Sequence, residues 1–448
     1  MNEETSSAEP PHLRRTVGPI QLAFYALGSM LGAGIYGLIG QAAGHAGNAV
    51  WLSFLVAMVA ALLTAFTYAS LGSRYPRAGG AAYVVERAFR SPLLGYLTGL
   101  VVVCSGITSV ATQAQVFSRN ITAIFELETS AVPMIAAGFL LILAGIVFRG
   151  IRESMWVNIL CTIVEATGLL IVIGTGFAWL GKVDYFEIPG GTDDGFGSAF
   201  ILVILQGAVL AFFAFIGFED TINVAEECRD PQRTVPFGIL VAMIAATILY
   251  MAVAVTAVSA VPWQELAKAP SPLTEVIRVT APAIPPIVFT AITLFAVSNT
   301  ALVNYVTSSR LLYGMAEQGL LPAVVGRVHP FTRTPHIAVV ILLVLLAPLA
   351  LLGTVGQLAS AAVLLLLLVF ALMNAALVIL QRRADERRGA FEIHPAVPVC
   401  GALICTALIL QRIVNGNWVA PTLAAAMVAV ILLTYLVIHG RSARRTVP

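Results

Sequence analysis

The sequence predicts an all-α polytopic membrane protein of about twelve spans. Three observations carry that reading. Of the 448 residues, 59% are hydrophobic and only 11% charged, against about 25% charged in soluble domains; a chain so poor in polar surface has lipid as its solvent. The apolar residues gather in runs close to the roughly 20 residues that a helix needs to cross the hydrocarbon core. Hydrophobicity does not alternate within those runs, and backbone groups in lipid must be satisfied internally, so helices are expected rather than barrel strands.

In chain order the runs are 18–43, 48–73, 92–119, 131–149, 155–180, 198–226, 234–261, 284–314, 337–353, 356–380, 395–413 and 418–439. The ninth is short, and Gly353–Gln357 reads as a tight hairpin into the tenth. Basic residues set the orientation. Of the 25 Lys and Arg, only Arg119, Lys182, Lys268, Arg278 and Arg412 fall on one side of this layout. The crowded side, which also takes both chain ends, is expected to be cytoplasmic. A missed helix would scramble that sorting, so the bias also supports the span count. Asp184, Glu187, Asp193 and Asp194 then face outward, as does segment 262–283, whose prolines and length suit a short outer helix or lid.

Several functions are disfavoured. Met1 to Pro11 is polar and acidic, so no cleavable signal peptide is expected. Cys104, Cys161, Cys228, Cys400 and Cys405 lack metal-ligand spacing, and most sit in apolar runs as small packing residues. The six histidines fall in loops or span ends. No nucleophile–base pair or metal cluster is read at membrane depth, so no catalytic residue, metal or cofactor is assigned and an integral membrane enzyme is disfavoured. A channel would need charge rings along a pore. No Walker sequence suggests ATP-driven pumping, and nucleic-acid binding has no support. Arg far outnumbers Lys, which points statistically to a GC-rich bacterial genome and an inner-membrane location.

Two spans are interrupted. The first reads Gly28-Ser29-Met30-Leu31-Gly32-Ala33-Gly34-Ile35-Tyr36-Gly37. Four glycines there weaken a helix by about 1 kcal/mol each relative to Ala. Small residues also serve helix packing in membranes, so this run alone fits either purpose. The sixth span reads Phe212-Phe213-Ala214-Phe215-Ile216-Gly217-Phe218-Glu219-Asp220-Thr221-Ile222-Asn223. Ionisable residues at depth are costly and commonly line a cavity. The two interruptions lie five spans apart, which suggests inverted repeats over spans 1–5 (residues 18–180) and 6–10 (residues 181–380), flanked by the tail 1–17 and by 381–448 with spans 11 and 12. Such transporters bind their substrate at the midplane between broken helices. Half-helix amides attract anions and half-helix carbonyls attract cations; an amino acid zwitterion offers both charges.

Further stretches extend this. Arg74-Tyr75-Pro76-Arg77-Ala78-Gly79-Gly80 follows span 2, and Glu226-Glu227-Cys228-Arg229-Asp230-Pro231 follows span 6. Ser309-Arg310-Leu311-Leu312-Tyr313-Gly314 ends span 8. Together with the broken spans, these resemble the amino acid–polyamine–organocation superfamily of permeases over nearly the whole chain. The resemblance implies the leucine-transporter-type fold, a 5+5 inverted repeat plus two C-terminal helices. It also implies that the substrate carboxylate meets the amides of Gly32, Ala33 and Gly34, and that the amino group meets carbonyls near Met30, Phe213 and Ile216 beside Gly217. An aromatic at the position of Phe213 caps the substrate in relatives. Glu219 stands where relatives carry an acid or a small residue, and would contact a basic substrate or carry a proton. Glu165 stands in span 5 where several proton-coupled or sodium-independent relatives have lysine; a carboxylate in apolar surroundings favours its neutral form and exchanges protons, or else makes a structural hydrogen bond. Thr307 and Ser308 either offer oxygens to sodium or pack. The expected function is amino-acid transport, proton-coupled or by exchange; a polyamine or other organic amine is the alternative. Substrate identity and oligomeric state are not legible.

Overall fold

The computed structural model describes residues 15–190, 197–269, 271–352, 355–414 and 418–445. Each of the twelve apolar runs is helical there. The first run is two helices, α1 (Pro19–Met30) and α2 (Ala33–Ala46), followed by α3 (Val50–Arg74). A short α4 (Gly80–Phe89) precedes α5 (Pro92–Ile124), α6 (Val132–Arg149) and α7 (Ile151–Gly176). The sixth run also divides, into α8 (Ser198–Phe215) and a single turn α9 (Asp220–Asn223). Then come α10 (Pro231–Ala260), the short α11 (Trp263–Lys268) and α12 (Pro272–Thr280), and α13 (Pro286–Glu317). The chain continues through α14 (His336–Leu352), α15 (Val355–Arg382), α16 (Ala396–Val414) and α17 (Val419–Arg445).

Among the described residues, eight helical stretches are long and apolar enough to cross a membrane by length and composition, the first of them covering α1 to α3. Shorter apolar helices lie within α14, α16 and α17. Many large apolar side chains point outward, including Met134, Leu141, Ile142, Leu160 and Ile163 on α6 and α7. A water-soluble monomer rarely shows so continuous an apolar surface; facing lipid, it costs nothing. The protein is therefore a multi-pass membrane protein.

Boundaries differ from the sequence expectation where local chemistry overrides hydropathy. α7 starts at Ile151 rather than 155 because Gly150, at φ +137°, turns the chain in one residue, and Ser154 Oγ donates to the Gly150 carbonyl at 2.9 Å. Helix α4 falls in a stretch read as loop. It is short and carries Glu86 and Arg87, but Ala81, Ala82, Val84, Val85 and Ala88 are buried. Segment 262–283 holds two short helices, α11 and α12, rather than one. Of the hairpin expected at Gly353–Gln357, Gly353 and Thr354 lie outside the described residues and Val355 to Gln357 open α15; the carboxylates Asp193 and Asp194, Met1 to Pro11 and Pro270 also lie outside.

Inside the bundle, α13 packs along α5 and α7, α8 along α2 and α3, and α10 along α1 and α3. At one end the segment before α1 pairs with the segment after α9. The Thr16 and Val17 amides both donate to the Glu227 carbonyl at 2.9 Å, and the Arg229 amide donates to Val17 at 3.0 Å. Beneath this strap Arg310 Nε lies 3.3 Å from Glu227 Oε2, both side chains fully buried.

Candidate functional site

The first break is made by Leu31 and Gly32. The last bond of α1 runs from the Leu31 amide to Leu27 at 2.9 Å, and the next across the break runs from Tyr36 to the Gly32 carbonyl at 3.4 Å. The amides of Gly32, Ala33 and Gly34 stand ahead of it, as the first N–H groups of any helix do, with no intrahelical acceptor. The second break runs from Ile216, which is extended (φ −67°, ψ 136°), through Gly217. Gly217 adopts φ +135°, a conformation that L side chains rarely take. Its amide donates to Glu219 Oε2 at 2.8 Å.

The breaks lie side by side. Ser29 Oγ donates to Asp220 Oδ2 at 2.6 Å. A methyl group added at Gly217 would meet the Ser29 backbone at 2.7 Å. The Tyr250 hydroxyl, from α10, sits 2.6 Å from the Met30 carbonyl and 2.9 Å from that of Ala214, so one side chain bridges the ends of α1 and α8. On the other flank Asn299 Nδ2 reaches the Gly28 carbonyl at 3.4 Å and Thr162 at 3.1 Å, while Asn158 donates to Asn299 Oδ1 at 2.9 Å.

A narrow cleft of about 20 Å³ opens at the breaks. Ser29, Met30, Gly32 and Gly34 form one wall, and Phe213, Ile216 and Gly217 the next. Ser105, Ser109 and Gln113 of α5 face it, with Thr300 and Asn304 of α13 and Ala362 and Leu366 of α15. Six of the expected binding residues thus share one cleft. Ala33 belongs to the same break. Glu219 is not among the lining residues; it is held by its own turn and is 4% exposed. Gly34 has a second role, because a methyl there would overlap the Ala214 backbone, so it also sets the close approach of α2 to α8.

Glu165 lies apart from the cleft in α7, fully buried. Asn299, Tyr36 and Tyr250 surround it. Neither carboxylate oxygen meets hydrogen-bond geometry with a described protein group. The Tyr36 hydroxyl donates instead to the Glu165 backbone carbonyl at 2.6 Å. Thr307 is engaged with the Tyr25 hydroxyl at 2.9 Å, and Ser308 packs against Gly106.

Sequence reasoning missed Tyr250, Asn299, Gln113 and Thr300. A tyrosine in an apolar run reads as packing. Asn299 and Gln113 were visible as polar residues within spans, which is itself a signal of a cavity, but no spacing links them to the breaks.

A multi-pass helical bundle with two facing helix breaks on an internal cleft defines a membrane transporter. Residues 17–438 match the amino acid permease family, and the chain belongs to that family. It is 30% identical to the cationic amino acid transporter 4 of Mus musculus over 84% of this chain and 61% of that protein. It is 26% identical to a branched-chain amino acid permease of Bacillus subtilis strain 168, covering 91% of this chain and 89% of the relative. A methylthioribose transporter of the same strain is 27% identical, with 90% of each chain covered.

Proposed function

We propose that this protein is a secondary active amino-acid transporter working by alternating access, with residues 18–180 and 181–380 as inverted repeats of five spans each and the last two helices outside them. The observation that carries this reading is the cleft between two adjoining helix breaks. There the amides of Gly32, Ala33 and Gly34 supply a positive pole for a carboxylate. Carbonyls at the ends of α1 and α8, those of Met30, Phe213 and Ile216, supply the pole for an ammonium group. Met30 already accepts from Tyr250, but a carbonyl has two lone pairs. Phe213, half-buried on the wall, caps the substrate.

Proton coupling through Glu165 is the favoured form. A fully buried carboxylate whose oxygens lack a hydrogen bond of regular geometry is costly unless neutral, and its neighbours Tyr36 and Asn299 connect it to the two halves of the first broken span. Glu219, tied to Gly217, is the second candidate. Sodium use is less well supported, since Thr307 and Ser308 are engaged in packing. An organic amine is also less well supported, because no carboxylate is among the cleft's described lining residues. The arginine-rich loops, with the segment before α1 and the end of α17, are assigned to the cytoplasm of a bacterial inner membrane, and segment 262–283 to the outside.

Reconstitution into proteoliposomes tests this. Concentrative uptake of an amino acid driven by an inward proton gradient is expected, with no dependence on ATP. Failure of every amino acid in a full panel to accumulate or exchange would overturn the reading.

A further inference from the structure

The cleft is unequal in its chemistry. Its α15 wall, Ala362 and Leu366, is apolar, whereas α5 presents Ser105, Ser109 and Gln113 at intervals of four residues. That spacing makes one stripe along a helix face. Ser105 is satisfied, donating to the Ala362 carbonyl at 3.2 Å. Gln113 differs. It is fully buried, it lines the cleft, and neither its Oε1 nor its Nε2 finds a protein partner. Thr300 Oγ1 is likewise without a protein partner, but it sits against Gly32, where the substrate carboxylate is assigned.

A buried primary amide left unmatched costs the full desolvation of its donors and acceptor. A site retaining one is built to hydrogen-bond something that enters. The backbone poles at the breaks already account for the zwitterion's two charges, so what remains for Gln113 is the substrate's side chain. With no charged residue among the described lining, a charged side chain has no counter-ion there. We infer that Gln113 is a specificity-determining residue that selects amino acids whose side chain is neutral and hydrogen-bonding over isosteric aliphatic ones. This rests on reading the cleft as the substrate site.

The discrimination follows from burial. An aliphatic side chain would leave the already buried Gln113 unpaired, whereas a hydroxyl or amide would pair with it. Sites that hydrogen-bond a substrate group reject analogues lacking it far more strongly than apolar pockets reject an extra methylene. The test compares near-isosteric pairs, asparagine with leucine and threonine with valine, as competitors of uptake in proteoliposomes. The wild-type protein is expected to prefer the polar member of at least one pair by about tenfold or more. In Gln113→Leu that preference should shrink or invert, because the aliphatic substrate no longer strands an amide. A wild-type preference for the aliphatic members overturns the inference without the variant, whether or not the variant folds. An unaltered ratio in a transporting Gln113→Leu protein overturns it too, leaving transport standing. Absence of uptake for every amino acid in the wild type overturns both readings.

Discussion

At the residue scale, Glu165 and the glycines of the breaks carry distinct burdens. If Glu165 is the proton carrier, it changes protonation within each transport cycle. Glu165→Gln keeps the shape and removes the titration. The expected outcome is loss of pH-driven accumulation with substrate binding retained, while Glu219→Gln keeps the proton-driven gradient. The reverse pattern moves the proton role to Glu219, and an unchanged pH response in both variants excludes these carboxylates as couplers. Among the glycines, Gly34 cannot separate binding from packing, because its missing side chain is also what lets α2 approach Ala214. Gly32 separates them better, since a methyl there meets only the Thr300 side chain: Oγ1 can rotate away, and Cβ, at 2.8 Å, requires a small shift of α13 that the unfolding measurement registers. Gly32→Ala is expected to weaken substrate binding by about tenfold or more, through loss of amide access worth on the order of one charge-assisted hydrogen bond. Binding measured alongside thermal unfolding in detergent checks this; wild-type affinity in a folded variant would mean that the amides do not meet substrate.

At the scale of elements, the strap between the segment before α1 and the turn after α9 covers the Arg310–Glu227 pair. Removing one partner of a buried pair strands the other charge, which typically costs about 3–5 kcal/mol, whereas replacing both by apolar residues is often neutral. Arg310→Met should therefore destabilise strongly, and Arg310→Met with Glu227→Leu should recover most of the loss. A double-mutant cycle on thermal unfolding measures this, and additive losses would contradict it. The loop before α16 is held differently. Glu386 accepts from the Tyr75 hydroxyl at 2.6 Å and from Arg87 Nε at 2.9 Å, while Glu392 pairs with Arg74. Partial burial works to raise the Glu386 carboxyl, but these donors outweigh it and hold it below the usual carboxylate range. A group depressed in this way stabilises the docked loop above its unfolded pKa and loses that contribution as pH falls through the folded value. Proteolysis within 383–395 by an acid-tolerant protease should rise in that acidic window, and Glu386→Gln should show the rise already at neutral pH.

At the scale of the whole molecule, orientation is the open assignment, and single cysteines test it. With the five native cysteines replaced, Arg387→Cys should resist a membrane-impermeant thiol reagent applied to intact cells, and Lys268→Cys should react. The opposite labelling would invert the assigned topology. Relatives whose names give cationic amino acids, branched-chain amino acids and methylthioribose share the family. The two amino-acid classes share the carboxylate and ammonium groups that the proposed backbone site would meet; methylthioribose, a thiosugar, carries neither.

The sequence by itself determined the helical membrane class, the approximate limits of the twelve apolar runs, and the places where two of them break. These are local properties: transfer of apolar residues to lipid is summed along a run, and glycine or carboxylates interrupt a helix wherever they fall. Tertiary structure alone decided what meets at the breaks. Tyr250, Asn299 and Gln113 come from helices remote in the chain, and hydropathy gives no measure of the face that a polar residue presents. It likewise decided that Glu219 turns onto the Gly217 amide while Glu165 is buried beside Asn299 and Tyr36 with no hydrogen bond of regular geometry to its oxygens. Both read alike in sequence, as acids within apolar spans. Hydrogen bonding distinguishes them, and it depends on which neighbours the packed helices bring within about 3 Å.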